Sequence, residues 1–204
     1  TGRAMNINSN ANGGFTSIED LIGGQNNVLY GDAGDNILIG GLGTNILVGR
    51  GGNDTYIFPD GWGSAEVREV AGEGDDTIHL SGVTVSLTFT ISGATIHITD
   101  GANTVDHTGS GGISQVENFI GGQASDTFNI SGISNFVDLL GGPSGDIFAF
   151  ADNATLTGTI SGEGGSDTLD YSAYTTSVTV DLSITSAFNI NSNATGSYNS
   201  IENI

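Results

Sequence analysis

Gly31-Asp32-Ala33-Gly34-Asp35-Asn36-Ile37-Leu38-Ile39 is followed at once by Gly40-Gly41-Leu42-Gly43-Thr44-Asn45-Ile46-Leu47-Val48, and then by Gly49-Arg50-Gly51-Gly52-Asn53-Asp54-Thr55-Tyr56-Ile57. Each nine-residue beat opens on glycine and closes on a short β-prone run with one large apolar side chain: Leu38, Leu47, Tyr56. Glycine tolerates the φ > 0 that a tight corner needs, and a three-residue strand turns its middle side chain to one face. Two beats make one coil of about 18 residues, so alternate beats stack on the same side. The expected fold is all-β: a parallel β-solenoid of the β-roll or β-helix kind, with short glycine-aspartate turns and interspersed longer strands or a hairpin.

A slower beat governs the second half. Gly121, Gly141 and Gly162 share their spacing with Asp126, Asp146 and Asp167, with Phe128, Phe148 and Leu169, and with Ile130, Phe150 and Tyr171. Four columns in one register predict parallel strands in successive coils, with aromatic and aliphatic ladders inside. Between the two regimes Val83, Val85, Leu87, Phe89 and Ile91 alternate with Thr and Ser, and Ile96 and Ile98 follow after Ser92-Gly93. That pattern predicts a hairpin, and Val178, Val180, Leu182 and Ile184 repeat the alternation. No stretch has a helical period.

The chain also repeats itself. Asn189 to Ala194 copies Asn6 to Ala11, and Tyr198 to Ile204 answers Phe15 to Leu21, all at an offset of 183 (residue 189 against residue 6). A weaker copy sets Gly13–Gln25 against Gly111–Gln123. The expected organisation is the end of a preceding repeat over 1–21, a first half-repeat over 22–118, and a second half-repeat over 119–204 running into the next. The expectation is a unit of a longer tandem array.

Composition narrows the function. Thirty-four glycines and 7% aromatics suit a thin repetitive β structure better than a thick core. Twenty-three acids against three basic residues leave a net charge of −20. Nucleic acid is excluded as a partner, because almost nothing here can neutralise phosphate. Such a charge opposes compaction unless counter-ions bind, which points to divalent cations. There is no cysteine, hence no disulfide or thiolate site, and no apolar run approaches the length of a membrane span.

The beat resembles the RTX family, the hemolysin-type calcium-binding nonapeptide G-G-x-G-x-D-x-U-x. Residues Gly31 to Ile57, Gly72-Glu73-Gly74-Asp75-Asp76-Thr77-Ile78 and Gly162 to Leu169 carry the likeness best. The resemblance implies Ca²⁺ as cofactor and places the ligand aspartate at the sixth position, here Asp54, Asp76, Asp126, Asp146 and Asp167. Ca²⁺ takes six to eight oxygens, and a glycine turn offers carbonyls beside such a carboxylate. The sixth position is instead asparagine at Asn27, Asn36 and Asn45. The pair Asn36/Asp54 could still hold an ion, while Asn27/Asn45 could form an uncharged amide ladder.

Other constellations point nowhere sharper. His79, His97 and His107 share no ligand spacing, and four convergent ligands cannot be assembled from them. Arg68 beside Glu66 and Glu69 suggests an internal ion pair, and Trp62 in Gly-Trp-Gly suggests the cover of a small core. The alternating Asn6, Asn8, Asn10, Asn12 row could ladder or simply face water. No catalytic motif is present. The expectation is a non-enzymatic structural unit of a secreted bacterial protein: a calcium-stabilised extracellular fibre, surface layer or adhesin shaft. Its partners would be calcium ions and neighbouring repeats of the same chain, and lateral self-association would add further copies. The alternative is a calcium-dependent carbohydrate- or receptor-binding module of a secreted RTX protein.

Overall fold

The computed structural model describes residues 19–69, 74–108, 115–135, 137–181, 183–190 and 198–204. Among them there is no helix, and two long sheets face each other across one core. The first has eight parallel strands in the order β1 (Asp20–Ile22), β3 (Ile37–Ile39), β5 (Thr55–Ile57), β7 (Thr77–His79), β11 (Asn118–Ile120), β14 (Asp138–Gly142), β17 (Ile160–Glu163) and β21 (Tyr198–Asn199). The nonapeptides alternate between the sheets, as their spacing requires. Leu38 pairs with Tyr56 on the first, and β2 (Val28–Tyr30) lies beside β4 (Thr44–Val48) on the second, with Leu29 against Leu47. Each of these strands buries its large apolar residue, Leu29, Leu38, Leu47 or Tyr56.

The second sheet has nine strands, in the order β18 (Thr168–Asp170), β15 (Ile147–Phe150), β12 (Thr127–Ser131), β8 (Thr88–Ser92), β9 (Thr95–Thr99), β10 (Thr104–Thr108), β6 (Ser64–Arg68), β4, β2. The expected hairpin is β8–β9, antiparallel through Phe89↔Ile98 and Ile91↔Ile96. It carries a third strand that the pattern did not announce. β10 folds back on β9 and then runs parallel to β6, closing the ladder between the two regimes.

The expected columns are present. Phe128 pairs with Phe148, Ile130 with Phe150, and Phe148 with Leu169. Phe89, Phe128 and Phe148 stack with centroids 4.2 and 4.7 Å apart, and Phe150 stacks on Tyr171 at 4.9 Å. Such pairs add about 0.5–1.5 kcal/mol each beyond area burial. The longer coils have a physical cause. β13 (Ile133–Asn135) pairs with β16 (Thr155–Thr157), and Leu156 bridges to Ile190, so these coils have a third side that an 18-residue coil lacks.

Two alternations misled. Val83 and Leu87 are buried but Val85 is 50% exposed, because strand geometry begins only at Thr88. Residues before it form the turn instead: Val83 N–H donates to Leu80 O, and Leu87 N–H to Asp126 Oδ1. Near the end, Val180–Asp181 (β19) pairs only with Ser186–Ala187 (β20), and Ile184 is exposed in the turn between them. Leu182, Asn6 to Asn12 and Asn191 to Asn193 lie outside the described residues. No helix among the described residues is long and apolar enough to cross a membrane.

Candidate metal site

The sixth residue of each turn stands where a corner enters a strand, and its side chain points into the stack. Asn36, Asp54, Asp76, Asp126, Asp146 and Asp167 are each at most 3% exposed. Their oxygens form a ladder along the solenoid axis. Asp54 Oδ1 accepts the N–H of Asn36 (2.7 Å), and Asp76 Oδ1 that of Asp54 (2.8 Å). On the second sheet Asp126 Oδ1 accepts from Leu87, Asp146 Oδ1 from Asp126 and Asp167 Oδ1 from Asp146, all at 2.7 Å. The six expected site residues thus fall into two columns, Asn36–Asp54–Asp76 and Asp126–Asp146–Asp167.

Each column ends on a glutamate that the nonapeptide pattern did not flag. Glu117 Oε2 accepts the N–H of Asp76 (2.9 Å), and Glu202 Oε2 that of Asp167 (2.8 Å). Asn118 and Asn203 next to them direct Nδ2 to the carbonyls of the same two aspartates, each at 3.3 Å. The signal was available in the internal repeat, which aligns Glu117-Asn118 with Glu202-Asn203. Glu69 is a further addition: carboxylate oxygens of Asp54, Glu69 and Asp76 lie within 4.8 Å of one another. The local sequence suggested it only as a partner of Arg68, not as a ligand.

Asparagine and aspartate rungs differ in one atom, and that atom tests for a cation. Asn45 Oδ1 accepts the N–H and the Nδ2–H of Asn27, both at 3.0 Å, so the amide ladder is real. The amide nitrogens then donate to turn carbonyls, Asn27 Nδ2 to Gly40 O (2.7 Å) and Asn45 Nδ2 to Gly41 O (2.9 Å). In an aspartate rung that place is taken by a carboxylate oxygen. Asp146 Oδ2 and Asp167 Oδ2 are buried with no hydrogen-bond partner. A Cβ on Gly141 would collide with Asp146 Oδ2 and come within 3.0 Å of Gly162 O, while one on Gly162 would meet Asp167 Oδ2 and Ser200 O. Oxygen faces oxygen there, and a hard cation is what such a donor set accepts. Asp126 is better satisfied, because its Oδ2 takes the Gly122 N–H at 2.6 Å. Asn36 Oδ1 accepts from Asp32 N–H at 2.7 Å.

The electrostatics agree with the geometry. Burial pushes the Asp76 carboxyl up to about 7, helped by Asp54, Glu117 and Asp75. Burial likewise raises Asp146 to about 7 and Asp126 to about 6, the former with added repulsion from Asp126, Asp167 and Glu163. Asp167 and Glu117 are raised for the same first reason. A bound divalent ion reverses this preference, since ligation requires the ionised form.

The remaining candidates are occupied in other ways. Buried His107 lies 3.1 Å from Val67 O through Nδ1, His97 pairs with Asp106 at 2.6 Å, and His79 Nε2 lies 2.7 Å from Ser81 Oγ. Arg68 pairs with Glu66 at 2.7 Å on the surface. Trp62 is buried, packs edge-on to Phe58, and donates Nε1–H to Thr104 O at 2.9 Å.

No curated protein and no solved structure matches the chain. A family model for the RTX calcium-binding nonapeptide repeat does match, in four copies over residues 22–56. With those copies stacked turn on turn and their short strands paired in parallel on both sheets, this segment is a run of RTX calcium-binding nonapeptide repeats.

Proposed function

We propose that the chain is a calcium-stiffened structural repeat of a secreted bacterial fibre, surface layer or adhesin shaft, and that it is not an enzyme. The observation that carries this is the pair of rung types. Where asparagine supplies an N–H to the turn carbonyls, the stack is complete without an ion. Where Asp146 and Asp167 stand, carboxylate and carbonyl oxygens crowd one another. Calcium at Asp54, Asp76, Asp126, Asp146 and Asp167, with Asn36 as a neutral oxygen donor beside Asp54, would make the second kind equivalent to the first. Its chemistry is charge neutralisation and oxygen ligation between coils; the residues themselves set the register through their backbone acceptors.

Continuity supports the shaft. Residues 198–204, which repeat residues 15–21, lie on the next level of the stack: Tyr198 pairs with Ile160, and Asn203 bridges to Thr168. The eight strands of the first sheet are separated by seven spacings, which at about 4.8 Å each extend about 34 Å, and identical units added in tandem would lengthen the stack in proportion. Millimolar extracellular calcium suits sites that have lost charged ligands to asparagine.

A three-unit tandem of the 183-residue period tests this by small-angle scattering and circular dichroism. Calcium should give a rod whose length scales with unit number, and chelator should shorten or unfold it. Equal length and equal β signal in both conditions would refute the reading.

A further inference from the structure

Carboxylates gather where the consecutive nonapeptides end, and one of them, Glu69, belongs to no nonapeptide. Register sets Val48 against Arg68, so Glu69 stands directly above Gly49, the glycine that opens the turn below. Glutamate in that place reaches back over the turn and accepts the Gly49 N–H at 3.1 Å. It thereby joins the sixth-position pair Asp54 and Asp76, both 1% exposed.

The second observation is Tyr56. Its column on the first sheet reads Leu38, Tyr56, Ile78, and its neighbours carry no polar atom. The Tyr56 ring is fully buried, and its hydroxyl has no hydrogen-bond partner. That hydroxyl points at the carboxylates: a Cβ on Gly49 would collide with Asp54 Oδ2, Glu69 Oε1 and Tyr56 OH together. Packing alone needs no hydroxyl here, and burying one without a partner is costly. The two described arginines are engaged elsewhere, Arg50 over the Tyr30 ring and Arg68 with Glu66.

We propose that Asp54, Glu69 and Asp76, with the Tyr56 hydroxyl as a further oxygen, form a hard-cation site of the Ca²⁺ class that closes the nonapeptide run. It rests on the calcium reading above for Asp54 and Asp76 but assigns new roles to Glu69 and Tyr56. Gly49 is glycine because any side chain would fill the space where these oxygens converge.

Terbium tests it on the full chain, because a bound lanthanide beside a tyrosine emits when the ring is excited. The metal-stripped protein is titrated with Tb³⁺ and competed with Ca²⁺, and calcium stoichiometry is measured by calorimetry. Glu69→Gln, which retains the acceptor for Gly49 N–H, should weaken one site about tenfold or more by removing a charged ligand. Tyr56→Phe should remove the sensitised emission of that site, with the far-UV spectrum of the folded protein retained. Arg68→Ala, which removes only a surface pair with Glu66 and no proposed ligand, should leave emission and stoichiometry intact. If wild type binds ions but Glu69→Gln and Tyr56→Phe change neither emission nor stoichiometry, this site is refuted and the calcium reading survives. If wild type binds no ion, both fall.

Discussion

Asp146→Asn separates the two roles of an aspartate rung. The Asp146 carboxylate gives one oxygen to the Asp126 N–H at 2.7 Å and buries the other without a partner. Asparagine keeps the first contact and replaces the second oxygen with a donor, as Asn45 does in the amide rung. The Asp146 carboxyl titrates near 7 in the fold instead of at its ordinary 3.8. The unfolded chain therefore loses this proton near pH 4 while the folded chain holds it to about 7. Stability from this group is full below pH 4 and is lost as pH rises through 7. At 1.36 kcal/mol per pH unit the interval corresponds to about 4 kcal/mol, reduced to about 2–3 where water screens the turn. In chelator at pH 8, Asp146→Asn should therefore be more stable than wild type by about 2–3 kcal/mol, or roughly 4–12 °C in Tm. At pH 4 the two should melt together. Millimolar calcium should invert the order at pH 8, because only the carboxylate ligates. Urea unfolding followed by circular dichroism, at both pH values with and without calcium, measures all of this. Equal destabilisation by Asp146→Asn at pH 4 and pH 8 in chelator would refute the reasoning.

Three further outcomes are expected. Phe128→Ala removes the ring stacked between Phe89 and Phe148 and should cost about 3–5 kcal/mol; an unchanged urea midpoint would contradict the ladder. Asn45→Asp replaces the donor to Gly41 O with an acceptor. It should destabilise the chelated protein by about 1–3 kcal/mol and make the first coils newly responsive to calcium; a thermal melt that ignores calcium would count against the equivalence of amide and ion. Arg68→Ala loses only an exposed pair with Glu66 and should change stability by less than about 1 kcal/mol; a large loss in a denaturant titration would mean that this arginine does more than its surface contact.

The repetition made much of this protein legible from residues alone. Glycine at the turns and one large apolar residue per beat leave few arrangements, since only stacking buries Leu38, Leu47 and Tyr56 together. The column Phe128, Phe148, Leu169 followed from spacing, because equal periods in a parallel stack place equal positions in contact. The same logic placed the sixth-position residues in columns. Periodicity failed where a strand pattern was not the local decision: Val85 and Ile184 alternate like strand residues but lie in turns.

Only the tertiary structure decided how the columns end and what lies between coils. Glu117 and Glu202 join the carboxylates from strands and turns distant in sequence, Glu69 joins them through the register of β6 on β4, and β10 closes on β6 forty residues away (Thr104 against Ser64). A one-dimensional period says which residues are equivalent. It does not say which non-equivalent ones meet where the period breaks, because that depends on the register of strands on both sides of the gap. The turn glycines belong to both accounts. Sequence marks them as corners, whereas only packing shows that Gly49 and Gly141 are bare because carboxylate oxygens occupy the space a side chain would fill.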